Sequence, residues 1–70
     1  MTEYQRMTDA LLRDRAGVGL VEFLRERRAE GHSFRRISRQ LYDATGGAVD
    51  VSNVSVMHWH RTLCAEEPAA

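Results

Sequence analysis

Apolar side chains recur three and four residues apart along most of this chain, and glycines separate the stretches in which they do so. This spacing is typical of amphipathic helices, because residues three and four apart lie on one helix face. It predicts four helices, which cover about residues 2–15, 18–30, 33–45 and 52–64. Only residues 48–51 alternate with period two. The predicted fold class is therefore all-α, a compact bundle of about four helices.

The ends of the predicted helices carry residues that cap helices. Thr2 and Gln5 have the spacing of a capping box at the start of the first helix. Ser33 and Ser52 stand where a serine N-cap is expected for the third and fourth helices. Gly31 follows the second helix at a position that favours a left-handed residue. These signals support the boundaries that the apolar spacing gives.

The third and fourth helices are each predicted to have one apolar and one polar face. The residues expected to face the core are Phe34, Ile37, Leu41 and Ala44 of the third helix and Val56, Trp59 and Leu63 of the fourth. The polar face of the third helix carries Arg35, Arg36, Arg39 and Gln40. The three core residues of the fourth helix lie within about sixty degrees of one another around the helix axis. The side around Val54, His58 and Arg61 is therefore predicted to face solvent.

The first helix has two open roles. Its apolar residues are Tyr4, Met7, Leu11 and Leu12. They would pack either on the domain itself or against a second copy of the chain. Seventy residues make one small domain, near the size at which a single apolar core only just stabilises a fold. A homodimer or another bound partner would therefore add stability.

The ten acidic and ten basic residues balance, but they are unevenly distributed. Residues 25–39 contain six arginines and two glutamates, whereas residues 1–24 carry a net charge of −1 and residues 40–70 of −3. The balanced total gives no reason by itself to expect a nucleic-acid or membrane partner. All ten basic residues are arginine, and a planar guanidinium suits phosphate oxygens and guanine edges. Codon usage in a GC-rich genome also explains the exclusive use of arginine, so the local cluster indicates either a phosphate-binding face or an ordinary solvated face.

The fourth helix has the arrangement of a helix that lies in the major groove of DNA. Such a helix reads base edges with its N-terminal turn and outward side chains while its inner face packs on a supporting helix. The residues expected to contact bases are Ser52, Asn53, Val54, Met57, His58 and Arg61. Phosphate contacts are expected from Arg35, Arg36 and Arg39, because such contacts position a protein on a duplex. The alternative for each residue is an ordinary solvated or core-closing side chain.

Residues 18–63 resemble the helix-turn-helix pattern of small DNA-binding proteins common in actinobacteria and their phages. The resemblance is carried by the string SFRxISxxLxxxxGxxxxVSxxSVxxW over residues 33–59, of which VSxxSVxxW is the most specific part. It implies a helix-turn-helix over about residues 33–64, in which the third helix supports and the fourth recognises DNA. It also implies that Ser55, which stands where the pattern often has threonine, contacts phosphate.

The chain departs from this pattern at three points. The segment between Leu41 and Val51 is longer than the tight turn of the minimal motif, so a longer third helix and a reshaped loop are expected. Ser38 replaces the usual alanine. No basic residue follows Arg61, and two glutamates lie near the C-terminal end, which weakens nonspecific DNA affinity.

The sequence thus predicts a sequence-specific DNA-binding protein, a small phage-type transcriptional regulator such as a repressor, antirepressor or excisionase. Its partner is double-stranded DNA, and a homodimer on a two-fold site or a second DNA-bound partner would supply enough specificity. The alternative is a protein-interaction module derived from a helix-turn-helix. That module would bind a host protein through Val54, Met57, His58 and Trp59. The zero net charge favours the alternative, and the arginine cluster argues against it.

Metal binding and catalysis are not expected. The histidines and the cysteine that invite a zinc hypothesis are His32, His58, His60 and Cys64. A structural zinc site needs two close pairs of ligands, and only one such pair is present. No nucleophile, base and oxyanion donor are grouped, and a chain of this size has little room for a small-molecule pocket. We therefore expect neither an enzyme nor a cofactor.

The chain is predicted to be a single domain over residues 1–65 with a disordered tail over residues 66–70. The single cysteine cannot form an intramolecular disulfide, and no apolar run resembles a signal peptide or a membrane span. A cytoplasmic protein without a membrane partner is expected.

Overall fold

The chain forms four α-helices in the computed structural model, which describes residues 1–64. They are α1 (Glu3–Ala16), α2 (Leu20–Ala29), α3 (Phe34–Ala44) and α4 (Asn53–Leu63). Residues 1–64 contain no strand, so the prediction of an all-α chain with four helices is confirmed. The predicted domain end at residue 65 and the predicted tail over residues 66–70 lie outside the described residues.

The helix starts are capped as the sequence predicts. At α1, the Gln5 backbone N–H donates to Thr2 Oγ1 at 3.1 Å, and the Thr2 backbone N–H donates to Gln5 Oε1 at 2.8 Å. This is a complete capping box. The hydroxyl oxygens of Ser33 and Ser52 each accept from the backbone N–H three residues later, at 3.1 and 3.2 Å. These bonds fix where α3 and α4 begin.

The turn between α2 and α3 depends on Gly31. Its φ of +85° lies in the left-handed region, which glycine adopts without steric cost. The backbone N–H of His32 then donates to the Arg27 carbonyl at 3.0 Å, and that of Gly31 to the Arg28 carbonyl at 3.0 Å. The predicted left-handed end of α2 is confirmed.

A buried apolar core lies between the four helices. The buried apolar residues are Leu12, Leu20, Phe23, Leu24, Ile37, Leu41, Val49, Val56 and Cys64. Partly buried residues packed against them include Phe34, Ala44, Trp59 and Leu63. The apolar faces that the sequence predicts for α3 and α4 are therefore confirmed.

The buried residues of α1 are not the same as its apolar residues. Leu12 is fully buried, but Tyr4 and Met7 are each 41% exposed. The buried polar residues Gln5 and Thr8 take their place on the inner side. Both have partners, since Gln5 belongs to the capping box and Thr8 Oγ1 donates to the Tyr4 carbonyl at 2.9 Å. Tyr4 still packs on the domain, because its ring lies 5.9 Å from the Trp59 ring of α4, between centroids, and Leu11 packs against the core.

The loop between α3 and α4 is anchored from inside. Thr45 is buried, and its Oγ1 donates to the Leu41 carbonyl at 2.7 Å while accepting from the Val49 backbone N–H at 3.1 Å. Gly46 and Gly47 provide left-handed turns, with φ of +65° and +87°. Val49 then returns to the core with no exposed surface. This loop determines where α4 begins.

Within residues 1–64, no helix has both the length and the apolar character that crossing a bilayer requires.

Candidate nucleic-acid interface

The two sides of α4 differ in burial as the sequence predicts. Val56 is fully buried and Trp59 packs against the core. The predicted base-contacting residues that are exposed are Ser52, Asn53, Val54, His58 and Arg61. Met57 is half-buried, so less of its side chain is accessible than the prediction assumes. The outer side of α4 is thus uncovered by the rest of residues 1–64.

The first turn of α4 holds its two serines in a capping contact. Ser52 Oγ accepts from the Ser55 backbone N–H at 3.2 Å and donates to Ser55 Oγ at 3.3 Å. Ser55 is half-buried, which limits the phosphate contact predicted for it. Asn53, by contrast, is exposed, and its amide forms no hydrogen bond with any residue in 1–64. Asn53 therefore has both its donor and its acceptor available.

The predicted phosphate-binding arginines of α3 are all exposed. The side chains of Arg35, Arg36 and Arg39 form no hydrogen bond or ion pair with the described part of the chain. Gln40, which is predicted on the same polar face, is less exposed than the three arginines. It is half-buried, and its amide nitrogen lies 3.1 Å from His32 Nδ1, at the turn between α2 and α3.

A surface groove joins the arginines of α3 to the start of α4. We call it the mixed-charge groove; its lining residues are Arg35, Ser38, Arg39, Tyr42, Asp43, Asp50 and Val51. Its volume is ≈ 370 Å³. Two of the three predicted phosphate-binding arginines, Arg35 and Arg39, thus lie beside the loop that leads into α4. Arg36 lies outside the groove lining.

The acidic and aromatic residues of the groove were not among the sequence-predicted site residues. Asp43 follows Arg35 and Arg39 at successive intervals of four, so its place on the same helix row was readable from the spacing. Asp50 precedes the α4 cap by two residues. Tyr42 is 47% exposed. Asp50 lies in the groove beside these α3 residues because of the path of the α3–α4 loop. The periodicity of the sequence does not predict that path.

The charges of the groove are not paired with each other. Arg39 and Asp43 are four residues apart on α3, a spacing that allows an ion pair. No such pair forms within 4.0 Å, and neither Asp43 nor Asp50 bonds through its carboxylate to another residue of 1–64. The groove therefore presents two guanidinium and two carboxylate groups outward.

The C-terminal part of α4 packs against the turn between α2 and α3. The His60 ring lies 5.7 Å from the Phe34 ring, between centroids, and the Arg28 guanidinium lies 4.1 Å from the centroid of that same phenyl ring. Burial, followed by the positive charges of Arg28 and Arg25, lowers the pKa of His60 below 6.5. His60 is thus a neutral packing residue at neutral pH.

The candidate zinc ligands do not come together. Across residues 1–64, no group of three histidine, cysteine, aspartate or glutamate side chains is placed to hold a metal ion. Cys64 is buried at the end of α4.

Comparison of this chain with protein-family models, with curated proteins and with solved structures found no match.

Proposed function

We propose that this chain is a sequence-specific DNA-binding protein rather than an enzyme, a small phage-type transcriptional regulator such as a repressor, antirepressor or excisionase. Residues 33–64 form its helix-turn-helix, with α3 as support and α4 in the major groove of double-stranded DNA. One observation carries this proposal. The outer side of α4 is exposed, and arginines without partners in residues 1–64 line the groove that leads to its first turn.

The proposed base contacts follow from the chemistry of each exposed side chain. Asn53 pairs with adenine through two hydrogen bonds, as an available amide can. Arg61 binds guanine or a phosphate, and His58 donates to a base or a phosphate. Val54, which is 51% exposed, packs on a thymine methyl group, with Met57 beside it.

The proposed phosphate contacts come from Arg35, Arg36 and Arg39. Their guanidinium groups are exposed, and no ion pair within residues 1–64 has to break before they bind a phosphate. Each contact releases counterions from the duplex, so affinity falls as salt rises. A single helix reads few base pairs, and we therefore also propose that two copies bind a two-fold site.

Selection of bound duplexes from a random DNA library by the purified protein tests the proposal. We expect one short motif to emerge, and the affinity for it, measured by fluorescence anisotropy, to fall steeply with added salt. If the protein retains no duplex even at low salt, the DNA-binding proposal is wrong.

A matched pair of arginine variants tests the proposed phosphate face. Arg39→Gln should weaken binding to all duplexes similarly and reduce the slope of log affinity against log salt by about 1. Arg6→Gln makes the same change in charge on α1, at an exposed residue outside the groove lining. It should leave that slope close to the wild-type value. Equal effects of both variants would mean that only the total charge matters.

The base-reading face is tested separately by Asn53→Ala combined with Arg61→Ala. Both side chains are exposed, so the variant should fold normally. We expect the selected motif to lose its preference at individual positions while some duplex binding remains. An unchanged motif would show that another surface reads the bases.

One observation favours a second candidate function, a protein-interaction module that binds a host protein. Two carboxylates and the exposed Tyr42 lie in the mixed-charge groove, and Val54 is exposed nearby in sequence. Carboxylates repel phosphates, whereas exposed aromatic and apolar groups anchor protein interfaces. A pull-down from a host lysate with wild type and Tyr42→Ser/Val54→Ser distinguishes the two. A host protein retained only by wild type, together with no duplex binding, favours this candidate.

A further inference from the structure

The mixed-charge groove contains a carboxylate, that of Asp50, which makes no stabilising contact with residues 1–64. Asp50 is exposed and lines the groove together with Arg35 and Arg39 of α3. Its carboxylate forms no hydrogen bond or ion pair with any of the residues described. An aspartate just before a helix commonly caps that helix, but here the Ser52 hydroxyl already accepts from the first turn of α4.

The position of Asp50 brings this carboxylate close to the proposed recognition helix. It lies two residues before the N-cap of α4, and Val51 next to it also lines the groove. The loop that carries it is held by the buried Thr45 and Val49, so the approach of Asp50 to α4 is determined by packing. A ligand that contacts both Arg39 and the first turn of α4 therefore approaches Asp50.

An ionised carboxylate only accepts hydrogen bonds. The phosphates and sugars of a duplex give it no favourable contact, because phosphate oxygens are negatively charged acceptors. In the major groove, hydrogen-bond donors are the amino groups of cytosine and adenine. Adenine places its N7 acceptor beside the amino group and so repels a carboxylate, whereas cytosine has a donor on this edge and no acceptor.

We propose that Asp50 is a specificity-determining residue of the DNA-binding face, where it accepts a hydrogen bond from the amino group of a cytosine. A duplex with that cytosine satisfies the carboxylate, guanine and thymine offer it no donor, and adenine places its N7 acceptor against it. The cost of the unsatisfied carboxylate lowers affinity for wrong sites, and Arg35 and Arg39 attract all duplexes alike. This inference rests on the proposed DNA-binding function.

Asp43 offers a matched control within the same groove. It has the same side chain, is exposed, and forms no carboxylate contact with the described residues. It lies on α3, however, and is farther along the chain from the first turn of α4. Asp43→Asn and Asp50→Asn each remove one negative charge, so both should raise affinity for duplexes in general by a similar factor.

Duplex selection with wild type, Asp43→Asn and Asp50→Asn tests the proposal. Wild type and Asp43→Asn should share one motif in which cytosine is favoured about tenfold or more at one position. Asp50→Asn should lose this cytosine and gain adenine there, because an amide pairs with adenine. Asp50→Ser should lose the preference without gaining another. Circular dichroism checks that the variants keep their helices.

Two outcomes would contradict the proposed role of Asp50. Only the second would also contradict the proposed DNA-binding function. If the Asp50→Asn motif equals that of wild type and Asp43→Asn, Asp50 acts only through its charge, and DNA binding itself stands. If wild type selects no duplex at low salt, the proposed function is wrong and the role of Asp50 is wrong with it.

Discussion

The corner between α1 and α2 and the mixed-charge groove both carry charged side chains, but the fold uses them differently. At the corner, Asp9 accepts from the Leu20 backbone N–H at 2.7 Å and from Arg13 Nε at 2.9 Å. Gly19, the N-cap of α2, has no side chain to do this. The four charged side chains of the groove have no such partner among the residues described. Charges at the corner stabilise the fold, whereas those in the groove are available to bind.

The contrast has an energetic basis. An ion pair on the surface of a helix contributes only about 0.3–0.5 kcal/mol, so leaving the groove charges unpaired costs the fold little. A hydrogen bond between a carboxylate and a buried backbone N–H contributes more, about 1.5–3 kcal/mol. Substitutions at the corner should therefore change stability, whereas substitutions in the groove should change binding.

The largest effect is expected at Asp9. Asp9→Ala removes both bonds and leaves the N–H of the fully buried Leu20 without its acceptor, so the free energy of unfolding should fall by about 2–3 kcal/mol. Denaturation followed by circular dichroism measures this. Asp14→Ala is the control, because Asp14 is exposed on the same helix, and it should change stability by less than about 0.5 kcal/mol. Equal losses would remove the distinction between the two regions.

The same carboxylate predicts a dependence on pH. The hydrogen bond from the Leu20 backbone N–H, then that from Arg13, lowers the pKa of Asp9 below its ordinary value of 3.8. Its stabilisation is therefore complete above about pH 3.8 and is lost as the pH falls through the lower pKa of the folded state. Stability curves of wild type and Asp9→Asn should converge as the medium becomes more acidic. Parallel curves would contradict this role.

A smaller loss of stability is expected at Thr45. Thr45→Val keeps the shape of the side chain but leaves the backbone N–H of Val49 without its acceptor, which should cost about 1–2 kcal/mol. Thr62→Val is the matched control, since the Thr62 hydroxyl is exposed and donates to the His58 carbonyl at 2.9 Å. Thr62→Val should lower the free energy of unfolding by much less than Thr45→Val. Similar values from thermal unfolding of both would show that Thr45 does not hold the loop.

Asp9 and Thr45 also show where sequence patterns stop being informative. Apolar spacing and caps give the four helices, because these signals are local and repeat with the helical period. The bond from Asp9 to Leu20 spans eleven residues and depends on how α1 meets α2. The apolar residues of α1 leave open whether they pack on the domain or on a second copy, and their spacing does not predict the burial of Gln5 and Thr8.

The candidate site divides in the same way. The exposed face around Val54 and Arg61 is predictable, because it lies opposite a helical core stripe. The arginines of α3 are predictable for the same reason. The position of Asp50 in the same groove as the α3 arginines is not predictable from the sequence. It depends on the path of the α3–α4 loop, which a buried threonine and two left-handed glycines determine.

His60 should give a mild effect that depends on pH. Burial, then Arg28 and Arg25, lowers its pKa, so the folded state binds a proton less readily than the unfolded chain. Stability should therefore fall as the pH drops below 6.5 and through the lower pKa of the folded state. His60→Gln should remove this step, and His58→Gln, at an exposed position, should keep it. An NMR titration of the ring protons reports the His60 pKa directly, and a value at or above 6.5 would contradict the packing assignment.

The smallest effect on stability is expected in the groove, and it is the strictest test of the contrast. Arg35→Gln combined with Arg39→Gln removes two positive charges that have no partner among residues 1–64. The free energy of unfolding should change by less than about 0.5 kcal/mol, because no hydrogen bond or ion pair within the described residues is lost. A loss comparable to that of Asp9→Ala would mean that these arginines stabilise the fold, and the groove would no longer differ from the corner.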